Sequence, residues 1–353
     1  MNEDTTLTSV VPNRLRTLRA RMAPFVKAAL LRTGGYGAIR RLAPSRQVAI
    51  LRYHAICGEE GYRYADPSIC ISPGAFERHV SYLARCYSVL PLPEVADRLR
   101  ARRPLPLNSV AITFDDGYAD NLVAARTLHR HGLSATFFIT AGCMTGGEPF
   151  WPAEIRALVS LLREPVLQLT SDGLPIEVPV GDVLDRRLAV KTLTRLFKTA
   201  TIPVREALRE QLRTAAGNPL MPECMLRWED LAEMQRLGMT IGAHTLTHPN
   251  LPSAGLEAAT LEIEGSKGRL ERELGEPVTL FSYPNGGADC YVTPELQRVV
   301  RDSGYLAATT SHNALASAAS DPYALERVEV EERVEDLAFA LEVERFAFKP
   351  TAR

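Results

Sequence analysis

Between residues 47 and 330, short apolar runs alternate with segments of helical period, and this alternation constrains the fold more than any other feature of the chain. Residues 47–53 (Q-V-A-I-L-R-Y) read as a strand, 76–85 as a helix, 87–90 as a second short strand and 93–102 as a helix. The next strand, 109–114, leads to a helix over 122–131 that stops at Gly132, then to a strand over 134–140. Later come helix 228–237, strand 239–243, helix 256–274, strand 278–283, helix 294–303, strand 305–310 and an edge strand over 324–330. Strands separated by helices predict a parallel sheet, closed or open.

Residues 143–227 interrupt this rhythm. Segments 150–163 and 184–213 have helical period and flank a polar stretch with room for short strands. The reading is one long, mainly helical insertion near the mouth of the sheet. Residues 1–46 stand apart as an N-terminal segment, and 331–353 as a C-terminal helical tail. Between Thr5 and Gly58 the chain has ten basic residues and no acidic one. Within it Leu15, Leu18, Met22, Phe25, Val26 and Ala29 recur at helical spacing, which predicts a basic amphipathic helix over 13–32, kinked or divided at Pro24. Such a helix either packs on its own domain or lies on an anionic membrane surface.

A net charge of -1 over 353 residues argues against nucleic acid as the main partner, because phosphate binding needs a basic excess. No apolar stretch reaches the roughly 18 residues that span a bilayer. Glu3 and Asp4 stand where a secretion signal needs basic residues, so a cytoplasmic, at most membrane-peripheral, location is expected. Cys57, Cys70, Cys86, Cys143, Cys224 and Cys290 form no C-x-x-C pair and read as scattered free thiols.

Two of the predicted strands end in residues that carry chemistry. Thr113 to Gly117 read T-F-D-D-G, and His244 to His248 read H-T-L-T-H. At a strand end, turning at Gly117, Asp115 and Asp116 can both reach one cavity. Adjacent carboxylates repel, and a metal on one of them resolves the conflict. Asp116 then serves as a ligand and Asp115 stays free as a base. His244 and His248 complete a two-histidine, one-carboxylate set if Thr245 onward forms a helical turn, which puts residues four apart on one side.

T-F-D-D-G, H-T-L-T-H and F-S-Y-P-N-G (from Phe281 to Gly286) resemble, in order, the first three motifs of the polysaccharide deacetylases, carbohydrate esterase family 4 with its NodB-homology domain. The likeness spans residues 47–330 and implies a distorted (β/α)7 barrel. It also implies a divalent metal, commonly zinc with cobalt, nickel or iron as alternatives, on Asp116, His244 and His248, with Asp115 as base. The reaction it implies is hydrolysis of an N-acetyl group on a sugar of a polysaccharide, oligosaccharide or lipid-linked glycan. Backbone N–H groups near Tyr283, Pro284 and Asn285 are candidates to hold the oxyanion.

Two departures from the family pattern follow. Ser282 stands where much of the family has an arginine that orients the base, and Arg327 in A-L-E-R-V-E-V is the candidate replacement. The C-terminal L-x-x-H motif that supplies the acid is missing. Instead L-R-Y-H ends the first strand at His54, which resembles a permuted subgroup with an N-terminal Tyr-His; His312 is the reserve candidate. His79, His129 and His131 read as surface residues. Among the aromatics Tyr53, Trp151, Trp228 and Tyr283, Tyr283 is the preferred sugar platform because it lies within a motif. The rival readings are deacylation of another amide, such as a formylated amino sugar, and a catalytically inactive glycan-binding domain.

Overall fold

The apolar runs become strands buried on both faces, the pattern expected when helices cover the outside of a parallel sheet. The computed structural model describes residues 24–286 and 291–347. Its strands are β1 Val48–Tyr53, β2 Ser88–Val89, β3 Ser109–Phe114, β4 Thr136–Ile139, β5 Val166–Ser171, β6 Leu174–Pro179, β7 Thr240–Ala243, β8 Leu280–Ser282, β9 Ala307–Asn313 and β10 Leu325–Glu329. The main sheet runs β1-β10-β9-β8-β7-β4-β3, all parallel, and a β1–β3 pairing closes it into a seven-stranded barrel; β2 adds beside the start of β3. The fold is the distorted (β/α)7 barrel. One expectation is corrected: 324–330 is no edge strand, because β10 sits between β1 and β9.

Side chains alternate between two cores. Ala49, Leu51 and Tyr53 of β1 pack outward under the helices with Phe76, Val80, Leu83 and Phe114. Val48 and Ile50 point inward, where Ala111, Phe138, Leu280, Ala307 and Leu325 fill the lower barrel. Gly242 of β7 admits the Phe138 ring, since a Cβ there would lie 2.5 Å from a ring carbon. Above this plug the inward positions turn polar, and the site begins.

Helix Trp151–Leu161, the antiparallel β5–β6 hairpin and helices Val183–Thr199 and Ile202–Ala215 make up the insertion. They bury an apolar cluster of their own, with Trp151, Leu158, Leu193, Phe197, Leu208 and Leu212 at less than 2% exposure. The expected single helix over 184–213 is two helices, parted at residues 200–201, where Pro203 follows in the first turn of the second. Of the expected helix over 13–32, residues 13–23 lie outside the described residues and 24–32 are helical. Leu30 and Leu31 pack with Tyr36, Tyr82 and Ala338, and Lys27 pairs with Asp336 at 2.9 Å, so this part docks on its own domain. The C-terminal tail contributes helix Val334–Glu342, and residues 348–353 lie outside the described residues, as does Cys290. Among the described residues no helix is long and apolar enough to cross a membrane.

Candidate active site and metal centre

Parallel pairing delivers the site residues to one end of the barrel. Tyr53 lies opposite Phe114, so the next residues, His54 and Asp115, emerge side by side. Ala243 lies opposite both Ile139 and Phe281, which brings His244 level with Ser282.

Asp116, His244 and His248 offer one ligand atom each, all within 4.8 Å of one another, and all three residues are buried. The Asp116 Oδ1 lies 3.5 Å from His244 Nε2 and 3.3 Å from His248 Nε2. His244 Nδ1 donates to the Ser282 carbonyl at 2.7 Å, which fixes its tautomer and turns the Nε2 lone pair toward Asp116. Burial would raise the Asp116 carboxyl, but the His244 and His248 imidazoles beside it outweigh that effect and hold the group well below the usual carboxylate range. Burial lowers His248 below the ordinary histidine range and so favours the neutral, ligating imidazole. Two neutral imidazoles and one carboxylate converging on one point fit a divalent cation.

The H-T-L-T-H segment is no helical turn. Thr245 and His248 adopt left-handed backbone with φ of 67° and 56°, as do Asp116 at 77° and Asn285 at 71°. Such conformations cost about 1–3 kcal/mol each and persist where surrounding contacts impose them. Here the Glu262 carboxylate accepts from Leu246 N and Thr247 N at 2.8 Å and from Thr247 Oγ1 at 2.5 Å. Thr245 Oγ1 accepts from His248 N at 3.0 Å, and Trp151 Nε1 donates to the His248 carbonyl at 3.0 Å. The insertion adds Arg205, buried to 1% exposure, whose guanidinium reaches Thr247 Oγ1 at 2.9 Å.

Asp115 faces Arg327 rather than the histidine pair. Arg327 donates to both carboxylate oxygens, at 2.7 and 2.6 Å, and its Nε donates to the Thr310 carbonyl at 2.7 Å. Burial would raise Asp115, yet Arg327 beside it holds the carboxyl well below its usual range. His54 Nε2 stands 3.8 Å from Asp115 Oδ2. Burial pushes the His54 imidazole down to about 4, against the upward pull of Asp116 and Asp115. Asn121 Nδ2 and the Asp120 carboxylate steady this strand end by bonding the His54 carbonyl and Ile56 N.

His54, Asp115, Asp116, His244 and His248 line a cavity of about 720 Å³ that the insertion walls on one side with Trp151, Arg156, Thr194 and Lys198. Of the other expected residues, His312 lies within β9, exposed at the cavity rim. Tyr283 is turned away. Its side chain is fully buried, and its hydroxyl donates to the Tyr323 carbonyl at 3.1 Å. Its backbone N–H donates to Thr309, and Pro284 has none, so Asn285 keeps the remaining N–H of the three. Tyr53 stacks on Phe114 in the outer core, and Trp228 sits beneath the Arg269 guanidinium; neither lines the cavity. His79 is not a surface residue, because it faces the core between Phe76 and Val80 and hydrogen-bonds the Tyr53 hydroxyl at 3.2 Å.

The sequence reading passed over Glu262 and Arg205. Glu262 follows Ala259 by three residues and precedes Ile263 and Ser266 on the buried face of helix Leu256–Leu274, and that position was its signal. A charge on an apolar helix face needs a partner, and here the partner is the metal-site loop.

Comparison with known proteins adds a family match over part of the chain and a fold. The family model described as Polysaccharide deacetylase matches residues 187–308, a span that includes both histidines and stops short of neither β8 nor its following loop. The structure is similar to the Streptococcus pyogenes deacetylase PplD in complex with acetate, with a TM-score of 0.57 and 20% identity over 85% of this chain and 100% of that one. It is also similar to IcaB from Ammonifex degensii, with a TM-score of 0.56 and 18% identity over 85% and 98%. A polysaccharide deacetylase from Bacillus cereus aligns with a TM-score of 0.53 and 20% identity over 84% and 69%. At these identities the likeness is one of fold. No curated protein sequence matches the chain.

Proposed function

We propose, from a chain that matches the polysaccharide deacetylase family over residues 187–308 and shares the fold of solved deacetylases, that this protein is a metal-dependent hydrolase removing N-acetyl groups from a sugar within a glycan. The observation that carries the reading is the placement of an Asp-His-His set within 4.8 Å beside a free, arginine-held carboxylate in one cavity.

Asp116, His244 and His248 would hold the ion, with zinc the best match to two imidazoles and a carboxylate. When bound, a divalent ion polarises the amide carbonyl and lowers the pKa of water. Asp115, ionised and aimed by Arg327, takes the proton of the attacking water. The proton taken by Asp115 passes to His54, 3.8 Å away, and His54 gives it to the departing amine as the C–N bond breaks. An imidazole whose burial disfavours its charge is a strong donor once protonated. The N–H of Asn285, a residue lining the cavity, would help hold the oxyanion. Trp151 and Lys198 from the insertion close the side wall.

The test is acetate release from a panel of N-acetylated glycans, before and after chelation and re-addition of zinc or cobalt. Release that is lost with chelator and restored by metal is expected. Formate release from N-formyl substrates alone would move the reading to a different acyl group, and binding without release would make this a glycan-binding domain.

A further inference from the structure

Helix Val183–Thr199 of the insertion carries Lys191, Arg195 and Lys198 at spacings of four and three, which places them along one face. Lys198 and Thr194 line the catalytic cavity. The same face, with Lys191 and Arg195, lines an adjoining depression of about 320 Å³. Asn285, Gly286 and Tyr291 border both hollows, so the two are continuous. Among the described residues no ion pair engages any of these three cations. The acid in the shared wall, Asp66, is already held by Arg156 and by Ser68 N.

A second observation points to a ligand of a particular kind. Asn250 and Asn285 bring two side-chain amides to the wall of the depression. Side-chain amides in such a wall are of the kind that pair with sugar hydroxyls. Three cations that no described residue pairs ask for negative charge on the same ligand. Burial in the cavity disfavours the Lys198 charge, offset only in part by Asp116 and Asp66, and an anion would relieve it.

We propose that this depression is a subsite for an acidic sugar residue, carrying a carboxylate or a phosphate, next to the acetamido sugar in the catalytic cavity. The inference rests on the reading of the protein as a sugar deacetylase. The insertion then selects the substrate: the barrel holds the amide, and the helix face reads the charge of the neighbouring residue.

The experiment compares acetate release from three oligomers: neutral N-acetylglucosamine, N-acetylglucosamine alternating with glucuronate, and N-acetylglucosamine bearing phosphate. The enzyme forms are wild type, Lys191→Gln/Arg195→Gln and Lys198→Met. Lys191 and Arg195 are exposed, so the paired variant keeps its fold. In both variants the acidic-over-neutral ratio of kcat/KM should fall about tenfold or more, chiefly through KM, and the arm that responds identifies carboxylate or phosphate. A ratio that does not move, or acidic and neutral rates that fall in step, overturns the proposal. Should no glycan release acetate, the deacetylase reading fails, and calorimetric titration of the same acidic oligomers decides the subsite. Binding weakened in the variants sustains it, and absent or unaltered binding ends it.

Discussion

Arg327→Met is the perturbation that most directly tests how the site is built. Wild-type Asp115 is 3% exposed and Arg327 1%, and the pair makes two charge-assisted hydrogen bonds at 2.7 and 2.6 Å. Methionine fills much of the volume but leaves the Asp115 carboxylate buried, with the His54 imidazole, whose charge burial disfavours, at 3.8 Å. Removing one partner of a buried pair costs about 3–5 kcal/mol, because the remaining charge stays out of water. The Thr310 carbonyl also loses its Arg327 Nε donor, which adds about 1 kcal/mol. Asp115→Asn alone strands the guanidinium and should cost a similar amount. The double variant Asp115→Asn/Arg327→Met buries no unpaired charge and should recover about 2–3 kcal/mol relative to the sum of the singles. Urea unfolding of the four proteins, followed by tryptophan fluorescence, measures the cycle. Single variants as stable as wild type, or a double variant showing strict additivity, would refute the claim that the pair acts as a buried unit.

The remaining predictions follow from neighbouring contacts. Asp115→Asn should abolish turnover while bound metal, read by elemental analysis, persists; His244→Ala should lose the metal itself, and full metal content there would remove His244 as a ligand. Glu262→Gln keeps the shape but removes the charge that strengthens the bonds from Leu246 N and Thr247 N, and with its oxygen on those groups it puts an NH2 where the Thr247 hydroxyl now finds an acceptor. It should cost about 1–3 kcal/mol and weaken metal affinity by roughly 10–100-fold, and unchanged affinity would show that the loop holds without it. His79 is buried and pushed down to about 4 from 6.5 by that burial, so the unfolded chain takes up its proton first. Its contribution is complete above pH 6.5 and is lost as the pH falls from there toward 4, amounting to at most about 3 kcal/mol. His79→Gln should therefore close on wild type in urea midpoint as the pH falls through that window, whereas a constant gap would assign the acid sensitivity elsewhere.

What the sequence disclosed and what it withheld divide along one physical line. The strands over 48–53 and 109–114 were readable because a strand buried on both faces is a local apolar run, and helix ends at Gly132 and Gly275 carry left-handed glycines. The D-D-G and H-x-x-x-H segments were readable for the same reason, since each follows such a run directly. Barrel closure was not, because whether β10 meets β1 depends on strand tilt summed around the whole sheet. The β5–β6 hairpin did leave a local mark: Asp172 and Gly173, with φ of 51° and 77°, form the tight turn that D-G favours. His79 was misread although Phe76, Val80 and Leu83 bracket it on the buried face, because polarity was weighed above position. Thr245 is a harder case. Nothing local to a β-branched residue predicts a left-handed backbone, which is held here by contacts such as those of Glu262, on a helix distant in sequence, with the next two N–H groups. The candidate ligand residues are thus written in the strand ends, whereas their aim is written in side chains distant in sequence. It follows that substitutions at Glu262, Arg205 and Trp151 should disturb the metal centre without touching a ligand, and that a reading confined to motifs would call them neutral.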